Sequence, residues 1–523
     1  MILIRLSGLR TIIAGMMILN IGCLNNTDPA PAVSPLCTSQ PLPEGIGEPI
    51  PQGHGTENAT AFKGNPATRS ATPLPPTTIP AHPFLAPPGR NGIHGDSYST
   101  GTYAWPGPLG VNPEVRSLAF GGMGGECATV TIDRRGRLIS VCSDFDSMRL
   151  VLIDPATFKV LATHDLPVRE SHAGGDIEEI LNDTSGGAYF HLDHLDRPII
   201  ANAQRHIQVF ALDAPGGTCE WTVAEEYDLN PYLETGARVT DAIPDWEGRL
   251  WFVTRKGVVG TVDRDSGRVE TMQLEGEEIQ NAITVGEDGV FILSDFALYR
   301  FEADPTTGMP HFTWRETYTR GSATKRGSIN LGSGTTPTLL QRDLVAIADN
   351  RDEQIHVLVY HRGATADQRL ICSVPVFEPG QSATDNSLIG YGRSVIVENN
   401  FGYTTPFDMR DTAPGVVRID VREDLSGCDI VWTSDEASQT TVPKLSIPNG
   451  LIYLYTSEPG TTRSSRPWYL TAVDFHTGET VFKILTGTGM AWNNNWAPIT
   501  LGPDGTAYAG VLNGLIAVRD GEQ

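Results

Sequence analysis

The feature that most constrains the fold of this chain is a repeat of roughly 50 residues that begins near residue 115. Each copy contains two short strands joined by a glycine turn, a third strand that ends at Asp, and a fourth strand. The turn theme recurs at 129–142 (TVTIDRRGRLISVC), 244–253 (PDWEGRLWFV), 285–294 (VGEDGVFILS) and 501–510 (LGPDGTAYAG). Repeats of this length with four short alternating strands predict an all-β fold, a β-propeller of four-stranded blades.

The spacing of the repeats favours eight blades. First strands begin near residues 128, 188, 240, 281, 335, 386, 441 and 496. The last repeat has room for only three strands before Gln523, so we expect a strand near 116–120 to supply the fourth and close the ring. Closure leaves no long unpaired strand edge. Seven blades is the alternative, with one repeat read as an insertion.

A second theme follows the third strand. Asp474-Phe-His-Thr-Gly478 matches an Asp-x-x-Thr-Gly turn, and Asp263-Arg-Asp-Ser-Gly267 matches it with Ser for Thr. These turns resemble those of the quinoprotein-like (PQQ-like repeat) β-propeller superfamily over residues 115–523. The resemblance implies the fold and leaves the activity open, because the superfamily includes both dehydrogenases and assembly scaffolds. The vicinal cysteine pair of its alcohol-oxidising members is absent from the sequence. A weaker similarity is to gluconolactonase-like calcium propellers.

Residues 1–22 read as a signal peptide of the lipoprotein type. A positively charged start precedes a short apolar run at 11–19, which is too short to span a bilayer comfortably. The segment 19–23 (LNIGC) resembles a bacterial lipobox, although Asn20 stands where Leu is usual. We therefore expect export and lipidation of Cys23, with anchoring to a bacterial cell membrane or outer membrane. The alternative is a secreted or periplasmic protein.

Residues 23–110 lack periodicity and are rich in Pro, Thr, Ser and Gly. Such a composition buries too little apolar surface to offset the entropy of ordering. The sequence predicts a disordered low-complexity tether here, followed by the propeller domain at 111–523. Whether the last part of the tether packs against the propeller is left open.

Charge and cysteine content limit the partners and the compartment. A formal net charge of −24 disfavours nucleic acid and anionic membranes as partners, so contact with a membrane is expected through the lipid anchor alone. Protein partners are not indicated. Apart from Cys23, six cysteines remain, which permits disulfides in an exported chain. Cys127 and Cys142 flank a hairpin and are predicted to form one.

Polar residues cluster where apolar strands meet one face of the predicted ring. In a propeller, the loops leading into first strands and those following second strands lie on the same face, here called the funnel face. Single Asp and Asn residues there also fit ordinary turn roles. As a set, carboxylates and carboxamides around one axis suit a hard cation or a polyol, and two Trp residues bracket three amides at 492–496. The predicted ligand-binding residues are Asp241, Asn281, Asp295, Asp349, Asn386, Glu398, Asn399, Asn400, Trp492 and Asn494.

The predicted function is binding of a polar small molecule or ion in this funnel. His172, in a loop ahead of the second blade, and Asp241 are the candidate catalytic residues. The alternatives are a calcium-dependent lactonase or esterase and a quinone-dependent dehydrogenase, with calcium or, on weaker grounds, PQQ as cofactor. The metal-like spacing of His191, Asp193 and His194 is assigned to a turn on the opposite face.

Overall fold

Eight sheets of four antiparallel strands surround a central axis in the computed structural model. The structure describes residues 35–522 except 69–70, 123, 174–178, 181, 342, 364, 366–367, 409 and 459–463. We number the blades 1 to 8 along the chain and letter the strands A to D from the axis outward. The predicted eight-bladed propeller is confirmed.

Strands A to D of the first four blades have the following bounds. Blade 1 contains Glu126–Ile132, Leu138–Ser143, Met148–Asp154 and Lys159–Leu166, and blade 2 contains Phe190–Leu192, Pro198–Ala201, His206–Asp213 and Glu220–Asp228. Blade 3 contains Val239–Pro244, Leu250–Thr254, Val258–Val262 and Val269–Gln273, and blade 4 contains Thr284–Gly286, Gly289–Leu293, Ala297–Ala303 and Pro310–Thr317.

The remaining blades follow the same order. Blade 5 contains Thr338–Leu340, Leu344–Ala348, His356–His361 and Leu370–Pro375, and blade 6 contains Ile389–Tyr391, Ser394–Glu398, Val416–Val421 and Cys428–Ser434. Blade 7 contains Lys444–Ser446, Leu451–Ser457, Pro467–Asp474 and Thr480–Thr488, and blade 8 contains Ile499–Leu501, Ala507–Val511, Gly514–Arg519 and Glu114–Ala119. Short 3-10 helices among the described residues are Thr56–Asn58, Glu170–Ala173, Pro215–Gly217, Asn230–Tyr232 and Met490–Trp492.

The ring closes in blade 8, where the strand that precedes the first repeat supplies strand D. Glu114–Ala119 pairs antiparallel with Gly514–Arg519, with Glu114 opposite Arg519. The predicted closing strand is therefore confirmed. Two short strands from the preceding segment extend blade 7 to six strands: Phe62–Gly64 pairs with its outer strand and Thr102–Tyr103 runs parallel to its inner strand.

Apolar side chains lie between the blades. Alternate residues of each strand point to opposite faces of its sheet, so every blade can bury both faces against its neighbours. Eight clusters of buried side chains result, one at each junction between adjacent blades. At the junction of blades 3 and 4, for example, the rings of Trp251 and Phe301 meet edge to face at 6.2 Å.

The turns between strands C and D follow the Asp-x-x-Thr-Gly theme. The Asp474 carboxylate accepts the Thr477 N–H at 2.9 Å, and Gly478 has a φ of 75°, which favours glycine. The same turn occurs at 304–308 (DPTTG), where the Gly308 N–H donates to the Asp304 carbonyl at 2.8 Å. The motif thus has a local function, which is to satisfy backbone N–H groups at the outer turn.

Three disulfides are present. The predicted Cys127–Cys142 bond is confirmed, and Cys37–Cys219 and Cys372–Cys428 were not predicted individually. Disulfides of this kind indicate an oxidising compartment outside the cytoplasm. Among the residues described, none of the helices has the length and apolar character needed to cross a membrane.

The segment predicted to be a tether packs against the propeller domain from residue 35 onward. Its part before residue 35 lies outside the described residues. From residue 35 onward the chain contacts the outer strands: the Gln40 N–H donates to the Leu161 carbonyl at 2.9 Å, and Cys37 is bonded to blade 2. Low apolar content does not prevent packing here, because strand edges and disulfides hold the segment in place.

Residues 84–105, here called the plug, cross the axis on the face opposite the funnel. Backbone N–H groups of the A strands donate to plug carbonyls in six blades. The pairs are Ile132 to Arg90, Leu192 to Asn91, Val285 to Ser97, Leu339 to Tyr98, Gly390 to Thr100 and Leu445 to Gly101, at 2.7–3.2 Å. The Trp105 indole N–H donates to the Leu501 carbonyl of blade 8 at 2.7 Å. The plug therefore closes this end of the channel.

Replacement of Gly101 by Val tests whether the plug stabilises the ring. Gly101 is buried with a φ of 66°, and a Cβ there would lie 3.5 Å from Ile389 and 3.7 Å from Lys444. We expect Gly101→Val to lower the free energy of unfolding by about 1–3 kcal/mol more than Gly216→Val does. Gly216 has a φ of 61° but no neighbour within 4 Å, so it controls for backbone strain. Equal urea midpoints for the two variants would contradict a stabilising plug.

Candidate functional site

The funnel face is covered by long loops that contact one another. The Asn493 side-chain amide donates to the Pro406 carbonyl at 2.8 Å, and the Tyr403 hydroxyl donates to the Asn495 side chain at 2.7 Å. These contacts join the loop between strands B and C of blade 6 to the loop leading into blade 8. The two loops are thus held together over the funnel face, and open space remains beside them.

That space is a cavity of about 110 Å³, here called the funnel pocket. It lies where blades 1, 2 and 8 meet, and the plug residue Ile93 also lines it. Four of its lining residues are aromatic: Phe145, Tyr189, Phe407 and Trp496. Its titratable lining residues are Glu126, Asp144, Arg169, His172, Asp183 and Tyr189.

Glu126 is the acidic group at the start of strand A in blade 1. Its Oε1 accepts the Asn495 backbone N–H at 2.8 Å. Burial raises the pKa of Glu126 to about 8, and the bond from Asn495 only partly opposes that effect. This shift favours the protonated carboxyl, and the half-buried side chain lines the pocket, where such a group can donate a hydrogen bond.

His172 also lines this pocket, as part of the 3-10 helix ahead of blade 2. Burial lowers the pKa of His172, and the neighbouring Arg169 lowers it further. The imidazole is thus neutral near pH 7, with Nδ1 3.5 Å from the Ser171 hydroxyl. Asp241, the other predicted catalytic residue, is not among the residues that line the pocket.

The predicted acidic ligands are bound to separate protein groups. The fully buried Asp241 accepts the His191 Nε2–H at 2.9 Å through one oxygen and the Ile283 N–H at 2.8 Å through the other. Asp295 pairs with Arg320 at 2.6 Å, and Asp349 pairs with Arg351 at 2.5 Å. Each of these three carboxylates is thus bound by protein groups of its own, and their shared binding of a ligand stays a prediction.

The predicted amides mostly bind backbone groups. Asn399 donates to the carbonyls of Gln381 at 2.8 Å and Pro414 at 3.1 Å, and Asn400 donates to the Gln439 carbonyl at 2.9 Å. Asn281 donates to the carbonyls of Ser333 and Thr335, and Asn494 donates to those of Ala497 and Gly510. The Trp492 ring is buried, and its N–H donates to the Pro51 carbonyl at 3.0 Å.

Of the predicted set, Glu398 and Asn386 are brought together. The Asn386 amide donates to Glu398 Oε1, and Asn400 approaches the same oxygen at 3.4 Å. Burial raises the pKa of Glu398 to about 8. Nearby, burial lowers the pKa of Lys444 to about 7 against the charges of Asp96 and Glu398. The Lys444 ammonium group is completely buried and has no hydrogen-bond partner within the part of the chain that the structure describes.

These contacts bear on the predicted calcium ion. Within the described ranges, no three His, Cys, Asp or Glu side chains form a group that could hold a metal ion. The Asp241 oxygens already accept three hydrogen bonds, from His191, Ala242 and Ile283, so they do not fit the role of free calcium ligands beside Glu398. Calcium and PQQ stay predictions, and Cys23 lies outside the described residues.

Several residues of this region were not singled out from the sequence. Glu126 is the first residue of strand A in blade 1, next to the loop that leads into it, so a search of first-strand starts as well as the loops before them would have included it. His191 lies on strand A of blade 2, facing Asp241, whereas Asp193 and His194 lie at the opposite-face turn as predicted. No local pattern distinguishes Tyr189 or Lys444 from ordinary strand residues.

Comparisons with known proteins add little beyond the fold. No family model matches the chain. It is 25% identical over 321 residues to an uncharacterized protein of Archaeoglobus fulgidus, which covers 54% of this chain and 61% of that protein. Less than two thirds of that relative's length is therefore matched.

Solved structures show weak similarity. A computationally designed protein, Ika8, gives a TM-score of 0.45 at 11% identity, covering 76% of this chain and 97% of that one. A streptogramin B lyase gives 0.39 at 11% identity over 78% and 98% of the two chains. BamB from Moraxella catarrhalis gives 0.33 at 14% identity over 60% and 93%. These values assign neither a family nor an activity.

The pH dependence of stability tests the protonation of Glu398. Its pKa is raised to about 8 from an ordinary value of 4.5, so the folded protein holds a proton that the unfolded chain releases above pH 4.5. This contribution to stability is complete below pH 4.5 and is lost as the pH rises toward 8. We expect Glu398→Gln to reduce the fall in the free energy of unfolding between pH 5 and 7 by roughly 1–3 kcal/mol.

Urea titrations at each pH provide the measurement, and the exposed Glu234→Gln variant controls for the loss of a charge. The low pKa of Lys444 acts in the opposite direction, because there the unfolded chain binds the extra proton between pH 7 and 10.5. Unchanged pH profiles for Glu398→Gln and wild type would show that Glu398 is ionised in the fold.

Proposed function

We propose that this is an exported protein that binds a small molecule in the funnel pocket. The observation that carries the proposal is Glu126, a carboxyl group kept at the wall of an aromatic-lined cavity where burial favours its neutral form. A buried carboxyl is costly unless its hydrogen-bonding capacity is used. Its Oε1 binds the Asn495 N–H, which leaves the protonated group able to donate to a ligand.

The neutral His172 supports the same proposal. A protonated acid and an unprotonated base line one cavity, which is the combination that positions a polar ligand by donation and acceptance. The same pair could transfer protons to a bound molecule. The proposal is a binding function, with catalysis as the alternative.

The metal- and quinone-dependent reactions are the weaker alternatives. A calcium-dependent lactonase or esterase would require Asp241, Asn281 and Glu398 to share an ion, and both carboxylate oxygens of Asp241 already accept hydrogen bonds from His191 and Ile283. The quinoprotein-like resemblance of the turns at 263–267 and 474–478 supports membership of that superfamily as part of this proposal. None of the residues in these turns lines the funnel pocket.

Export and lipid anchoring belong to the proposal because of residues 1–23 and agree with the three disulfides. We expect Cys23→Ala, expressed in a bacterial host, to move the protein from the membrane fraction to the soluble fraction. Immunoblots of fractions from cells expressing either form provide the measurement. Retention of Cys23→Ala in the membrane fraction would exclude the lipid at Cys23 as the anchor.

Filling the pocket tests the binding function. Ala188 is a half-buried lining residue, so Ala188→Phe places a ring in the cavity, whereas the exposed Ala156→Phe adds the same ring elsewhere. We expect fragments that bind the wild type in a ligand-observed NMR screen to bind Ala156→Phe equally and Ala188→Phe at least tenfold more weakly. Fragments that bind all three proteins equally would place the binding site elsewhere.

A further inference from the structure

The charges in the wall of the funnel pocket are compensated by other protein groups. Asp183 is buried, and the charge of Arg169 together with hydrogen bonds from Ser185 lowers its pKa. Arg238 also lies 3.5 Å from Asp183. Arg169 donates to the Ser185 carbonyl at 2.8 Å. The Arg169, Arg238 and Asp183 charges thus compensate one another. Asp144 also lines the pocket, and its Oδ1 accepts the backbone N–H groups of Asp146 and Ser147, so an anionic ligand would meet a negative charge in the wall.

The walls and the size of the cavity favour a flat ring. Phe145, Tyr189, Phe407 and Trp496 come from four different loops and strands, and Ile93 lies at the plug side. Aromatic side chains bind other rings through offset or edge-to-face contacts. A dry cavity of about 150 Å³ is known to hold benzene. The funnel pocket, at about 110 Å³, is therefore of the size that accepts part or all of a single six-membered ring.

Trp496 differs from the other aromatic residues of the pocket in two ways. It has a φ of 67°, a backbone conformation that costs energy for a bulky residue and is often kept at binding sites. Its indole N–H is buried without a hydrogen-bond partner among the residues described. The Tyr403 ring meets it edge to face at 5.3 Å, which fixes its orientation. A buried N–H donor without a partner costs free energy, so an acceptor supplied by a ligand would stabilise it.

We propose that the ligand of the funnel pocket is an uncharged, planar six-membered ring that carries a hydrogen-bond acceptor, bound against Trp496 and accepting from its N–H or from Glu126. This inference rests on the proposed function, since it names the class of ligand for the same pocket. It differs from the polyol or cation expected from the sequence, because four aromatic side chains assemble at the pocket and the charges of Arg169 and Asp183 compensate each other.

Benzamide and its analogues test the ligand class, with binding measured by ligand-observed NMR and isothermal titration calorimetry. Benzamide has the ring and the acceptor, cyclohexanecarboxamide has the acceptor without the flat ring, and benzoate adds a charge. We expect benzamide to bind the wild type at least tenfold more tightly than either analogue, and glucose not to bind. Equal or tighter binding of benzoate, cyclohexanecarboxamide or glucose would overturn the proposal.

Two tryptophan variants test whether the Trp496 N–H donates to the acceptor of the ligand. Trp496→Phe keeps an aromatic ring and removes the N–H, and we expect it to weaken benzamide binding roughly 3- to 10-fold, which is the effect of one hydrogen bond. Trp246→Phe is the matched control, because the Trp246 N–H is also buried without a partner and lies outside the pocket. Equal losses in both variants, or no loss in Trp496→Phe together with no loss in Glu126→Met, which removes the donor, would refute the assigned contacts.

The ligand class and the binding function fail in distinguishable ways. If other fragments bind the wild type and lose affinity in Ala188→Phe while benzamide does not bind, the ring proposal is wrong and the proposed function stands. If no fragment is sensitive to Ala188→Phe, both are wrong. Crystals soaked with benzamide provide an independent result, because density between Trp496 and Glu126 is expected and density confined to the surface would contradict the proposal.

Discussion

The structure depends on hydrogen-bond partners for the backbone N–H groups of the inner strands of the ring. Eight sheets around one axis leave a channel whose inner strands have backbone N–H groups with no partner in their own sheet, and buried groups of this kind require one. The plug supplies carbonyls to six of the blades, and its Thr102–Tyr103 segment adds a strand to blade 7. A segment with little apolar surface is ordered because the ring offers it these bonds.

Burial inside the ring changes the chemistry of the polar groups there. Glu398 and Lys444 lie near the axis with almost no exposure, so burial favours the neutral form of each. Asn399 and Asn400 follow the strand that ends at Glu398. Their side-chain amides donate hydrogen bonds to neighbouring loops, and Asn400 also accepts one. The accessible cavity consequently lies beside the axis, between blades 1, 2 and 8, where Glu126 and Trp496 face a shared space.

The fold was predictable because its determinants are local and repeated. Alternating apolar strands and glycine turns lie within a few residues of one another in each repeat. Glu114–Ala119 pairs with the distant Gly514–Arg519, and its place was predictable because the last repeat lacks a fourth strand. The site was less predictable. Asn400 has the chemistry of a ligand, but its amide reaches the Gln439 carbonyl from another loop, and the sequence does not show which loops approach.

The sequence by itself determined the propeller fold with four-stranded blades, favoured eight blades over seven and predicted the Cys127–Cys142 bond, since the repeats and the hairpin consist of residues that are close along the chain. Tertiary structure alone decided which polar groups are buried, how they titrate and where a cavity remains. Glu126, Tyr189, Phe407 and Trp496 are separated by up to 370 positions and meet only because the ring is closed. Burial and the pairing of charges depend on such distant neighbours, so no local pattern reports them.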